Sequence, residues 1–175
     1  MSNKILAICL DCGDTLIDEA TEVKDDRAVS LRAQLIPGAD SLIRQLKARG
    51  YPLALVADGP VETFVNNLGP YDLLDVFDVR SISENLGVEK PHPRMFSDAV
   101  EKLGIAPENY GKVVMVGNNL ERDIWGANRF GLISVWIDWA PRRSKIPAHG
   151  GEQPRFTIKT PLALLDILDR LEQDL

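Results

Sequence analysis

Apolar runs of strand length recur along this chain, and each one ends in a short polar loop. Ile5 to Leu10 is continuously apolar and is followed by Asp11-Cys12-Gly13-Asp14-Thr15. That is the pattern of a parallel strand buried on both faces, delivering a loop at its C-terminal end. From Pro37-Gly38 the spacing predicts a helix with Leu42, Ile43 and Leu46 on one face, Lys47 and Arg49 in its last turn and Gly50 as terminator. Pro52 to Ala57 repeats the buried-strand pattern and ends in Asp58-Gly59-Pro60, ahead of a helix through Phe64 and Leu68. A third segment, Val79 to Ile82, leads to Glu89-Lys90-Pro91-His92-Pro93 and then to helical spacing at Phe96, Val100 and Leu103. Val113 to Val116 feeds Gly117-Asn118-Asn119 and a helix carrying Ile124 and Ala127, and Leu132 to Ile137 is a fifth strand. This alternation specifies an α/β fold, a doubly wound parallel sheet wrapped by helices.

Two segments depart from the alternation. Asp18 to Gln34 is charge-rich, with too few regularly spaced apolar positions to close a domain, so residues 18–36 read as a short excursion with a turn or two of helix. Residues 140–155 are rich in Pro, Gly and basic side chains and read as a long surface loop. The chain then closes with Thr160 as N-cap, Pro161 at the first helical position, and Leu164, Leu165, Leu168 and Leu171 as a core stripe. Nothing repeats at a solenoid period, and residues 1–175 read as one domain.

Composition narrows the partners. The formal net charge of -6 provides no broad basic surface, which disfavours nucleic acid and anionic lipid. No apolar stretch near the start reaches the 18 or so residues of a membrane span, and Met1-Ser2-Asn3-Lys4 does not lead into a secretory segment, so a cytoplasmic location with no membrane is expected. Cys9 and Cys12 have redox-motif spacing but straddle the end of an apolar run; the reading is two reduced thiols, one of them buried.

Four strands ending in four polar loops would bring Asp11, Asp58, Lys90, Asn118 and Asp123 to one rim of the sheet, where ligands of open α/β sheets bind. Carboxylates at a strand end beside a lysine can hold a divalent, oxygen-seeking cation. Cation and lysine together could neutralise a phosphoryl group while an aspartate attacks it.

Ile8-Cys9-Leu10-Asp11-Cys12-Gly13-Asp14-Thr15-Leu16 resembles the first motif of the haloacid dehalogenase (HAD) superfamily, an apolar strand followed by D-x-D-G-T-L, with Thr15-Leu16 fixing the register. Leu55-Val56-Ala57-Asp58-Gly59 is similar to the second motif, and Lys90-Pro91 matches the third-motif lysine. Val116-Gly117-Asn118-Asn119 through Asp123-Ile124, with Gly126-Ala127 and Gly131 beyond, is similar to the fourth, acidic motif. The four stand in the right order over residues 4–137. The resemblance implies a three-layer Rossmann-like fold and a Mg²⁺-dependent hydrolase. In it Asp11 is the nucleophile that forms an aspartyl-phosphate and a metal ligand, and Lys90 stabilises charge. It further implies a phosphate-binding set of Ala57, Asp58, Gly59 and Lys90, and a metal set of Asp11, the Gly13 carbonyl, Asn118 and Asp123.

Three positions depart from the pattern. Gly13 stands where the family's general acid sits, with Asp14 displaced by one residue; Ala57 lacks a hydroxyl and is followed by a charge; Asn118 replaces an Asp. Asp14 therefore reads either as a turn cap or as a substitute acid. The simpler readings of Asp11, Lys90 and Asp123 are a turn residue, a surface lysine and a first-turn acid. His92 and His149 read as surface residues, Trp136 and Trp139 as edge packing, and Arg142, Arg143 and Lys145 as a solvated loop that could meet an anionic substrate group. Neither interval where the family inserts a cap holds a domain, so an open cleft is expected, without a cap of its own or with one borrowed from another subunit of a homo-oligomer. The leading expectation is a Mg²⁺-dependent phosphatase acting on a phosphorylated small molecule or a larger phosphorylated substrate. A catalytically impaired domain that binds a phosphorylated ligand or protein partner is the alternative. A 2-haloacid dehalogenase, which needs a helical cap over an apolar pocket, ranks last.

Overall fold

The computed structural model describes residues 3–174; Met1 and Ser2, part of the expected non-secretory start, lie outside them. Six strands form one sheet in the order β5-β4-β1-β6-β7-β8, every registered pair parallel. They are β1 (Ala7–Leu10), β4 (Leu53–Ala57), β5 (Val79–Ile82), β6 (Val113–Gly117), β7 (Ile133–Ile137) and β8 (Phe156–Ile158). β1, β4, β6 and β7 are buried along their whole length, which is why they read as unbroken apolar runs.

Alternate residues of these strands feed two cores. On one face Ile8, Leu10, Leu53 and Leu55 pack with Leu42, Ile43 and Leu46 of α1 (Ala39–Ala48), Phe64 and Leu68 of α2 (Val61–Leu68), and Leu164, Leu168 and Leu171 of α6 (Leu164–Asp174). On the other face Ala7, Cys9, Ala54 and Val56 pack with Met95, Phe96 and Val100 of α4 (Pro93–Lys102) and Ala127 of α5 (Trp125–Phe130). A short α3 (Ser83–Leu86) follows β5. Because the strand order steps outward in both directions from β1, the C-terminal ends of β4, β1 and β6 frame the crevice where such sheets bind ligands.

Several expectations are corrected. The excursion after the first loop is an antiparallel hairpin, β2 (Ile17–Lys24) and β3 (Ser30–Leu35), in place of turns of helix. It bends at a register shift near Val23 and closes through Asp25, whose carboxylate accepts from the Arg27 and Val29 amides at 2.9 Å each. A polar, half-exposed ribbon carries no apolar period for a sequence reading to detect. β8 adds a sixth strand; three residues at a sheet edge give too short a run to stand out. Both cysteines are buried, on opposite faces of the sheet. Thr160 makes no side-chain cap, and the last helix enters through a 3₁₀ turn at Pro161–Ala163. His92 caps α4, its Nδ1 accepting from the Arg94 amide at 3.2 Å. Among the described residues no helix is long and apolar enough to cross a membrane.

The hairpin is pinned to α2 by polar contacts. The Ser30 hydroxyl donates to Asn67 Oδ1 at 3.0 Å inside the protein, the Ser30 amide donates to Thr63 Oγ1 at 3.1 Å, and Asn66 Nδ2 donates to the Ser30 carbonyl at 3.0 Å. Asn67→Ala leaves the buried Ser30 hydroxyl without that acceptor. The expected cost in urea denaturation is about 1–3 kcal/mol. Amide exchange across residues 17–35 should accelerate more than across β1, β4 and β6, and uniform acceleration would show that the pin is not local.

Candidate active site

The centre of the rim is a buried ion triad. Lys90 Nζ donates to Asp11 Oδ1 at 2.7 Å, to Asp123 Oδ1 at 2.7 Å and to the Val56 carbonyl at 2.9 Å. Lys90, Asp11 and Asp123 are only 4 %, 9 % and 1 % exposed. Three different segments supply them: Asp11 follows β1, Lys90 precedes α4, and Asp123 lies in a π-helical turn (Leu120–Ile124) after β6. That turn is capped by Asn119, whose Oδ1 accepts from the Glu121 and Arg122 amides at 3.0 and 3.1 Å. Asp123 Oδ2 in turn accepts from the Asn119 amide at 2.9 Å. Gly117 must be bare for this packing, since a Cβ there would stand 2.5 Å from Cβ of Asp123.

Asn118 is held by its backbone, its carbonyl accepting from the Trp136 indole at 3.0 Å, while its buried side-chain nitrogen has no partner. Among the described residues, the second oxygen of Asp11 also takes no protein hydrogen bond. Two buried carboxylates oppose one ammonium, and an idle amide free to turn its oxygen inward stands nearby with the Gly13 backbone. Hard oxygen donors and an uncompensated negative charge suit a Mg²⁺-like cation, so the donor set of Asp11, Gly13, Asn118 and Asp123 fits such an ion.

The second-motif loop is occupied by the protein itself. Asp58 turns toward the backbone, Oδ1 accepting from the Lys90 amide at 2.9 Å and Oδ2 from Arg122 Nη1 at 3.2 Å. The Gly59 amide donates to Ser83 Oγ at 2.8 Å and is not free for an anion. Ala57 is buried at the end of β4.

Asp14 sits away from the triad. Its backbone is left-handed, at φ 50°, a conformation Asp tolerates better than most residues. Fully buried, its carboxylate is clamped by Arg142, with Nε donating to Oδ2 at 3.0 Å and Nη2 to Oδ1, and it accepts from the Glu19 amide at 3.1 Å. Its contacts are an ion pair with a distant loop and one amide of the hairpin, while the amides of the turn that follows it go to the Cys12 carbonyl. The cleft above the triad, about 100 Å³, is lined in addition by Glu19, Arg122 and Arg143. Sequence reasoning missed Glu19 and Arg122 as site residues, and read Arg143 as part of a solvated loop that could meet an anionic substrate group. The one signal for Glu19 is that it follows Ile17 by two in a strand, on the same face.

Burial, reinforced by the Asp123 charge, pushes the Asp11 carboxyl above its ordinary range, with Lys90 opposing. Lys90 is held protonated, well above the lysine range, because the carboxylates around it outweigh its desolvation. Burial also raises the Glu19 carboxyl, helped by Asp14 and opposed by Arg143.

The family model of the haloacid dehalogenase-like hydrolases matches residues 9–131. The chain belongs to that family. It is 34% identical over 138 residues to a glyceraldehyde 3-phosphate phosphatase of Methanopyrus kandleri, covering 79% of this chain and 58% of that protein. A phosphoserine phosphatase of Thermus thermophilus is 35% identical over 107 residues, 61% of this chain and 42% of that one. The chain therefore spans about half the length of these curated relatives. The crystal structure of a HAD phosphatase from Thermococcus onnurineus superposes with a TM-score of 0.67 at 32% identity, over 78% of this chain and 59% of that one. In this HAD-family fold the four motif loops converge as their order in the chain implied.

The triad makes opposite stability predictions for its members. Lys90→Met strands two buried carboxylates and should cost about 3–5 kcal/mol. Asp11→Asn removes a charge that folding disfavours. Since the folded carboxyl titrates above its unfolded value, ionising Asp11 costs stability as pH rises beyond about 4. In thermal melts with chelator, Asp11→Asn should match wild type at low pH and exceed it increasingly toward neutral pH. A Lys90→Met protein as stable as wild type at neutral pH would refute the buried-triad energetics.

Proposed function

We propose that this chain is a Mg²⁺-dependent phosphatase that cleaves phosphoric monoesters through a phosphoaspartate on Asp11. The observation that carries the reading is the Lys90 ammonium shared between Asp11 and Asp123 at the floor of an open cleft. The phosphatases named above, similar over most of this chain, support the same reaction class.

Mg²⁺ would be held by Asp11, the Gly13 carbonyl, Asn118 and Asp123, and when bound it supplies positive charge against the phosphoryl oxygens. The chain's own residues supply the rest. Lys90 fixes one oxygen of Asp11 and leaves the other available for in-line attack, so the nucleophile is oriented before substrate arrives. Its ammonium, kept charged against its burial by the surrounding carboxylates, counters charge on the transferred group. Arg122 and Arg143 at the rim offset the cleft's carboxylates. The cleft suits a small phosphorylated molecule, and its polar lining disfavours an alkyl halide. No inserted domain covers it in this reading: a two-stranded hairpin follows the first motif, and residues 69–89 run into the main sheet at β5. The buried unpaired thiols are consistent with work in a reducing cytoplasm.

A second reading has its own support. Ala57 offers no hydroxyl and the Gly59 amide is taken by Ser83, which favours a domain that binds a phosphorylated ligand without turning it over. Hydrolysis of a phosphate-ester panel with and without Mg²⁺ separates the two. The phosphatase reading expects Mg²⁺-dependent turnover that falls by about 10⁴-fold or more in Asp11→Asn, and Asp123→Asn should raise the Mg²⁺ requirement by about tenfold or more. Ester binding without turnover in wild type would establish the second reading.

A further inference from the structure

The glycine two residues after the nucleophile leaves a space, and a different side chain fills it. A Cβ on residue 13 would stand 2.9 Å from Cδ of Glu19 and closer still to Oε1, so the Glu19 carboxylate occupies the volume that a side chain at position 13 would enter. Glu19 lines the cleft together with Asp11, Lys90 and Asp123. It comes from β2, eight positions after Asp11, and reaches the rim because the chain makes a tight turn between them. In that turn the amides of Thr15, Leu16 and Ile17 converge on the Cys12 carbonyl at 3.2, 2.8 and 3.1 Å.

Its backbone is fixed. The Glu19 amide donates to Asp14 Oδ1 at 3.1 Å, and Asp14 is clamped in turn by Arg142. Arg143 Nη2 stands 3.8 Å from Glu19 Oε2, beyond hydrogen-bond range, so the carboxylate is oriented toward the cleft without being locked into a short ion pair.

We propose that Glu19 is the general acid and base of this active site, a carboxylate delivered from the hairpin in place of one carried by the first-motif loop, with Asp14 as its positioning residue. The assignment rests on the phosphatase reading. In the first half-reaction an Asp11 oxygen forms a bond to phosphorus, the phosphorus–ester oxygen bond breaks, and the proton of Glu19 passes to that oxygen, releasing the alcohol. In the second, the ionised Glu19 takes a proton from water as the water oxygen bonds to phosphorus. The Asp11–phosphorus bond breaks, phosphate leaves, and Glu19 is again protonated.

The test compares wild type, Glu19→Gln, Glu19→Ala and the double variant Gly13→Asp with Glu19→Ala on two esters, ethyl phosphate and p-nitrophenyl phosphate, with thermal melts as a check on folding. Ethoxide is a poor leaving group and needs the proton; nitrophenolate does not. Glu19→Gln should lose about 10² to 10⁴-fold on ethyl phosphate. On p-nitrophenyl phosphate it should release a first-turnover burst of nitrophenolate at near wild-type rate and then stall, because hydrolysis of the phosphoenzyme still needs the base. The double variant, which restores a carboxylate at position 13 once its space is free, should recover about tenfold or more over Glu19→Ala on ethyl phosphate. Equal losses on both esters, with a raised Mg²⁺ requirement, would make Glu19 a metal ligand and overturn the proposal. Unchanged rates in Glu19→Gln would overturn it as well. Wild-type protein inert toward both esters would instead defeat the phosphatase reading, and the assignment with it.

Discussion

A lysine ammonium cannot be buried unless carboxylates surround it, and two carboxylates cannot share a dry crevice unless a cation separates them. Lys90, Asp11 and Asp123 satisfy both conditions at once, each carboxylate standing 2.7 Å from the same ammonium nitrogen. The arrangement ties together three loops that are remote in sequence, and the surrounding chain serves it. The Val56 carbonyl takes a third proton of the ammonium, Gly117 stays bare beneath Asp123, and Asp58 holds the backbone of Lys90. Stability and chemistry meet here, because the triad carries one negative charge more than it can balance. That excess opposes folding and is of the sign that a bound cation would neutralise.

The departures from the family's first motif form one coherent change. Removing the side chain at position 13 opens room for Glu19, and moving the aspartate by one residue gives the hairpin its anchor, since Asp14 binds both the Glu19 amide and Arg142. Arg142 in turn belongs to the loop after β7, so the first-motif loop, the hairpin and the residues 140–155 loop are linked by charge. A proton-transferring group placed on a hairpin depends on that hairpin's position. Its attachment to α2 through Ser30, Asn66 and Asn67 thus lies within reach of catalysis, although none of those residues touches the cleft.

Much of this was legible from the chain itself. Strands buried on both faces announce themselves as unbroken apolar runs, and the polar residues that end them mark the rim, so Asp11, Lys90, Asn118 and Asp123 were found together with the fold that gathers them. The hairpin was not, because its strands are polar and half-exposed and its bulged register breaks any period. Glu19 was invisible for the same reason: its role depends on an empty volume at Gly13, and a sequence shows a glycine without showing what enters the space beside it. β8 escaped because edge strands of three residues bury too little to leave a pattern. The contacts of Asp58 and Gly59 were equally hidden, since Lys90, Arg122 and Ser83 lie at least 24 residues away in sequence.

The central claim is that Asp11 becomes phosphorylated during turnover. Rapid acid quenching of the protein with Mg²⁺ and acetyl phosphate, followed by mass spectrometry of its peptides, tests this directly. The account predicts one added phosphoryl group on the peptide carrying Asp11, lost in Asp11→Asn and persisting longer in Glu19→Gln. A protein that releases phosphate steadily with no modified Asp11 at any quench time would contradict it.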